Sequence, residues 1–138
     1  RLEKMTKGKL LEYINPNNQL YLDGAHNEAA ADAVHKFLET LKGKKIYMIL
    51  GMLNTKDPKV FLKHFTSTIT ALKTISIPNQ DNSQDPKVLA KVANEFGIKA
   101  NTSKGITEAL HEIANEDPNA IIIITGSLYL MGEVLNLN

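Results

Sequence analysis

At 138 residues, 43% of them hydrophobic, the chain is long enough for one domain with a core of its own. Sixteen Lys and Arg against fifteen Asp and Glu leave a net charge of +1, and the basic residues are scattered, so charge gives no support to nucleic-acid binding. The absence of cysteine excludes a disulfide framework, a thiol nucleophile and a thiolate metal site, and makes a cytoplasmic setting the default.

The longest apolar run, residues 120–124, is far too short to span a bilayer, and the amino terminus lacks a continuous signal-peptide core. No membrane partner is expected. The start at Arg1, without methionine, points to a piece of a longer polypeptide.

After two short opening segments, 1–5 and 10–14, brief apolar runs alternate with segments of helical period, the mark of strand–helix–strand units. Residues 20–22 form the first strand. The following helix is expected to bury Ala30, Ala33, Val34, Phe37, Leu38 and Leu41 and to stop at Gly43. Residues 46–50 are apolar throughout, as in a strand covered on both faces. Asp57 then caps a helix with Pro58 in its first turn. Residues 71–77 read as a strand, and Asp85 with Pro86 opens a helix burying Val88, Leu89, Val92 and Phe96, closed by Gly97. A short strand at 98–100 precedes a helix with Ile106, Ala109, Leu110 and Ile113 inside. "AIIIITG" is a central strand, and 128–135 is the last helix.

This alternation predicts an α/β fold: a Rossmann-like open, mostly parallel sheet with helices on both faces, whose ligands bind at the carboxyl ends of the strands. The loops divide accordingly. Those leaving strands read "DGAHN", "GMLNTKDP", "PNQDNSQDP" and "TGS", whereas those leaving helices read "GKK", "GIK" and "NEDPN".

Asp23 ends a strand before a glycine, where a carboxylate reaches ribose hydroxyls in nucleotide-binding folds; an Asx-turn or cap explains it equally well. His26 lies just before a helix, where backbone N–H groups and the dipole favour anions, although a lone loop histidine is more often incidental. Asn27 is best read as the helix cap. Lys56 can neutralise a phosphate or carboxylate from a strand-end loop, though most lysines only solvate a surface; Asp57 is explained by capping. Gly126 and Ser127 place a hydroxyl and backbone donors at a helix start after the most buried strand, a cradle for an anion or a plain serine cap. His35, His64 and His111 fall on helices without metal-like spacing and read as helix-face residues; no metal site is expected. Neither a G-x-x-x-x-G-K-[ST] loop nor G-x-G-x-x-G is present, so the chain carries half a nucleotide site at most.

"LDGAHN", "GMLNTKD" and "TGSLYLMGEV", in this order and spacing, resemble the carboxyl-terminal domain of folylpolyglutamate synthase and dihydrofolate synthase, members of the Mur ligase superfamily; the opening "RLE" is similar to the stretch after that family's interdomain linker. The resemblance covers essentially the whole chain. It departs at Glu28, where the family usually has proline, but a glutamate also suits a helix's first turn. The resemblance implies a three-part ATP-dependent ligase in which ATP phosphorylates a folate or dihydropteroate carboxylate and the amine of L-glutamate attacks the acyl phosphate. It implies that ATP and magnesium are bound mainly by a central ATPase domain of the same polypeptide, with this domain closing over it. Asp23 would hold the ATP ribose, His26 would lie beside the phosphates and the incoming glutamate, Lys56 would help place anionic groups, and Ser127 would bind the glutamate carboxylate. The ligase is expected to be a monomer, and the isolated domain inactive. The alternatives are the matching domain of a peptidoglycan Mur ligase and a non-catalytic nucleotide or amino-acid binding module.

Overall fold

The computed structural model describes residues 2–41 and 43–138; Arg1, with which the opening segment and the "RLE" resemblance begin, lies outside them. Six strands form one sheet: β1 (Glu3–Met5), β2 (Gln19–Asp23), β3 (Ile46–Leu50), β4 (Ala71–Thr74), β5 (Ala100–Thr102) and β6 (Ile121–Thr125). Their order across the sheet is β1-β2-β6-β3-β4-β5, with β1 antiparallel at one edge and every other pair parallel. Five α-helices accompany them: α1 (Glu28–Glu39), α2 (Pro58–Leu62), α3 (Pro86–Glu95), α4 (Ile106–Glu116) and α5 (Leu128–Leu137). The opening segment at 10–14 is a 3-10 helix, Lys9–Tyr13.

Strand side chains alternate between two cores. Ile46, Met48 and Leu50 of β3 and Ile121 and Ile123 of β6 pack against α1, α2 and α3, while Ile49, Ile122 and Ile124 pack against α4 and α5. A parallel strand covered on both faces must be apolar at every position, which is why β3 and the isoleucine run of β6 are buried throughout.

Helix starts follow the cap residues. Asn27, Asp57, Asp85 and Ser127 each accept a backbone N–H of the first turn, and Pro58 and Pro86 occupy positions where a missing N–H costs nothing. Several burial expectations are corrected. In α1 the buried stripe is Ala31, Val34 and Leu38; Ala33 is exposed, Ala30, Phe37 and Leu41 are half-buried, and the helix ends at Glu39, short of Gly43. In α3, Val88 and Phe96 are exposed, and the small residues Ala90 and Ala93 join Leu89 and Val92 against the sheet. A strand was expected over 71–77, but pairing stops at Thr74 and buried Ile75 and Ile77 continue as loop; β5 begins at Ala100, after the expected start at Ile98.

Candidate functional site

The last strand, β6, inserts between β2 and β3, so three neighbouring strands end side by side, with Asp23, Thr125 and Leu50 in register. Adjacent strands lie about 4.8 Å apart, which places the outer two within about 10 Å and lets one small ligand touch the loops of all three. The chain after β2 turns into α1 on one face, and the chain after β6 turns into α5 on the other. Such a parting of crossovers opens a crevice at the strand ends.

That crevice is a cleft of about 260 Å³ lined by His26 from the β2–α1 loop, Leu53, Thr55 and Lys56 from the β3–α2 loop, and Gly126, Ser127, Leu128 and Tyr129 from the β6–α5 turn. It is below the roughly 300–1,000 Å³ of closed small-molecule sites, a size for an amino acid or phosphate group and too small for a whole nucleotide. Its walls are largely apolar, with a few convergent polar groups.

His26 is half-buried, and its Nδ1 lies 3.1 Å from the Gly24 carbonyl oxygen. A carbonyl only accepts, so Nδ1 carries the hydrogen and Nε2 is the nitrogen left for a ligand, as an acceptor when neutral and a donor when protonated. Lys56 is half-buried in a turn closed by its own N–H to the Leu53 carbonyl at 3.1 Å. Among the described residues no carboxylate lies within ion-pair distance of Lys56.

Ser127 is buried, and its Oγ accepts the N–H groups of Tyr129 at 3.0 Å and Leu130 at 3.4 Å. It is therefore a helix cap, and its hydroxyl hydrogen remains to be donated to an anion. Gly126 has φ 117°, and a Cβ there would run into the Gly51 carbonyl oxygen. Only glycine permits both the backbone angle and this approach. Gly24 across the cleft is less constrained, since a Cβ there would displace the end of the exposed Leu128 side chain.

Asp23 sits on the same sheet edge but does not line this cleft. It opens on an adjoining hollow of about 270 Å³ shared with Leu2, Ala30, Ala33, Val34 and Phe37. The side chain is buried, and Oδ1 accepts the Ala25 N–H at 2.8 Å. The structure thus brings His26, Lys56 and Ser127 together and sets Asp23 beside them, behind the start of α1.

The other histidines take up helix-face positions. His35 pairs with Glu39 at 3.4 Å, His111 lies 3.3 Å from Asn115, and His64 lies 3.2 Å from Glu28. Glu28 also meets Lys63 at 2.6 Å, and these two partners, Lys63 foremost, hold its carboxyl below the usual glutamate range. Among the described residues no group of three or more His, Cys, Asp or Glu side chains could hold a metal ion, and no helix is long and apolar enough to cross a membrane. The sequence reading missed Leu53, Thr55, Leu128 and Tyr129 as cleft residues. A signal was present for two of them, since Leu128 and Tyr129 directly follow the Gly126–Ser127 pair at the helix start; the structure leaves them 63% and 56% exposed.

The chain is 28% identical over 124 residues to a folylpolyglutamate synthase of Lacticaseibacillus casei, covering 90% of this chain and 28% of that protein. It is 28% identical over 126 residues to a probable dihydrofolate synthetase of Schizosaccharomyces pombe, covering 83% and 30%. The chain therefore spans under a third of the length of these relatives. Its fold matches that of the Mycobacterium tuberculosis folylpolyglutamate synthase complexed with ADP, with a TM-score of 0.76 and 24% identity over 86% of this chain and 29% of that one. The model of the family described as the C-terminal domain of dihydrofolate synthetase matches residues 7–137. On that match, which takes in nearly the whole chain, the protein belongs to the dihydrofolate synthetase C-terminal domain family.

Proposed function

We propose that this chain acts as the carboxyl-terminal domain of an ATP-dependent ligase, a monomer, that adds L-glutamate to a folate or dihydropteroate carboxylate. The observation that carries the reading is the cleft itself: Lys56, with no carboxylate in ion-pair distance among the described residues, His26 Nε2 and the Ser127 hydroxyl line a volume fit for an amino acid, at the carboxyl ends of three adjacent strands. The relatives named above are folate enzymes, which favours this reading over a peptidoglycan ligase.

In this assignment Ser127 and the α5 N-terminus receive the glutamate carboxylate, and Lys56 balances the charge of the groups brought together. His26 Nε2 lies beside the attacking amine. These residues work by placement and by charge stabilisation, and none forms a bond to substrate. ATP supplies the phosphoryl group that activates the acceptor carboxylate. The Asp23 hollow fits part of it, since a buried carboxylate beside apolar Ala30, Ala33 and Phe37 suits a ribose edge and a base face. The donor set suits anions better than a divalent cation, so no step here is assigned to magnesium.

The test is glutamate-dependent phosphate release by the full-length polypeptide, supplied with ATP, magnesium and either dihydropteroate or a reduced folate. His26→Ala and Lys56→Ala should each lower the rate about tenfold or more. Rates equal to wild type in both variants would remove the cleft from the reaction.

A further inference from the structure

The wall of the cleft that carries Leu53, Thr55 and Lys56 is a loop, and its hydrogen-bonding partner is the long segment between β4 and α3. Leu53 and Ser83 form an isolated antiparallel bridge. Asn54 N–H donates to the Asn82 carbonyl at 2.8 Å and Gln84 N–H to the Met52 carbonyl at 2.7 Å. Ser83 Oγ in turn accepts the Ile77 N–H at 2.8 Å, and Ile77 is buried in the core beneath α4 and α5. The same segment reaches the opposite wall. Asn79, in left-handed backbone with φ 61°, donates through Nδ2 to Glu133 Oε1 on α5 at 2.9 Å. Because α5 begins with Leu128, behind its Ser127 cap, one segment is bonded to both sides of the cleft.

We propose that residues 75–85 form a strut that sets the width of the cleft, with Ser83 the positioning residue for the Lys56 loop and Asn79 that for α5. The claim deepens the proposed function and rests on it where ligand affinity is concerned. An ammonium on a flexible stem discriminates poorly unless its loop is held, and a loop whose tip is tied to a neighbouring loop through backbone bonds opens locally when one anchor is removed. Ser83 supplies that anchor, because its hydroxyl ties the bridging strand to a buried isoleucine. Asn79 supplies the second from a backbone conformation that asparagine tolerates better than most residues.

Amide hydrogen exchange on the 138-residue chain tests the strut without any ligand. Ser83→Ala should speed exchange about tenfold at Ile77, Asn54 and Gln84 while the amides of β3 and β6 keep their protection, and Ser83→Thr, which retains the hydroxyl, should restore it. Asn79→Gly keeps the left-handed backbone and removes only the bond to Glu133. With inorganic phosphate as the probe of the cleft, Ser83→Ala and Asn79→Gly should each weaken binding about three- to tenfold with little change in melting temperature. Unchanged exchange at Asn54 and Gln84 in Ser83→Ala, or loss of protection across the whole sheet, would overturn the strut. Failure of the wild-type chain to bind phosphate would instead count against the cleft as an anion site, with the exchange pattern still deciding the strut.

Discussion

Replacing Asp23 by alanine removes a charge facing the hollow and, with it, the acceptor of the Ala25 N–H. The turn role read from the sequence is present, since this buried carboxylate holds the loop that presents His26. Asp23→Asn separates the two, because the amide oxygen still accepts from Ala25 while the charge is gone. In the full-length polypeptide Asp23→Asn should raise the apparent KM for ATP several-fold at near-normal melting temperature, whereas Asp23→Ala should also lose about 1–2 kcal/mol from the orphaned N–H. Equal stability loss in both variants would mean that the charge itself holds the fold. Gly126→Ala is the harsher change, since a Cβ meets the Gly51 carbonyl oxygen and the backbone angle resists any side chain. We expect a cost of about 2–3 kcal/mol, read from denaturant unfolding. At this scale the caps were legible, because Asn, Asp and Ser before an apolar stripe have one dominant use. The separation of Asp23 from the cleft was not, because register places a residue at a strand end without saying on which side its side chain emerges.

Between elements, charge pairs link α1 to the segment after α2, which already share one apolar core. Glu28 at the start of α1 meets Lys63 and His64 beyond α2, and His64 also lies 3.9 Å from Asp32. Asp32 is itself held below its usual range, by Lys36 first. Both carboxylates have folded pKa values depressed relative to the unfolded chain, so what they contribute is fully present above the ordinary value, about 4.3 for glutamate, and is lost as pH falls through the folded value. The melting-temperature difference between wild type and Glu28→Gln should thus be constant near neutrality and close up below about pH 4. A difference that widens on acidification would reverse the assignment. These groups are exposed, and the effect at neutral pH should be small. Elsewhere Lys73 of β4 is buried with its Nζ 2.7 Å from Glu116 on α4, and burial together with that carboxylate pushes the Tyr47 hydroxyl up. Element order, type and caps could be read from the chain because period and capping are local. Burial within α1 and α3 could not: in α1 the periodicity placed Ala30 and Ala33 inside where Ala31 is the buried alanine, and in α3 it favoured the larger Val88 and Phe96 where Ala90 and Ala93 face the sheet. The stripe Ala30, Ala33 and Phe37, read as core, is the wall of the Asp23 hollow.

For the whole molecule, two continuous cores and a paired sheet interior among the described residues predict that the chain folds alone, which a cooperative unfolding transition of the 138-residue chain would check. It lacks a P-loop, and its polar groups face an open cleft, so the isolated chain should bind ATP and glutamate only at about millimolar concentration and should release no phosphate above background when supplied with ATP, magnesium, glutamate and a folate acceptor. A mostly parallel sheet was implied by the alternation of strands and helices, but the strand order, with β6 inserted between β2 and β3 to create the cleft, is a long-range pairing that no local pattern encodes. On the proposed function, this insertion assembles one anion cleft and one separate nucleoside hollow. Nuclear magnetic resonance titration of the chain with L-glutamate and, separately, with ATP tests it most directly. Glutamate should shift the amides of Thr55, Lys56, Gly126, Ser127 and Tyr129, and ATP should in addition shift Asp23, Ala30 and Phe37. Glutamate shifts confined to the far end of the sheet, around Leu38, Lys44 and Thr68, would contradict it.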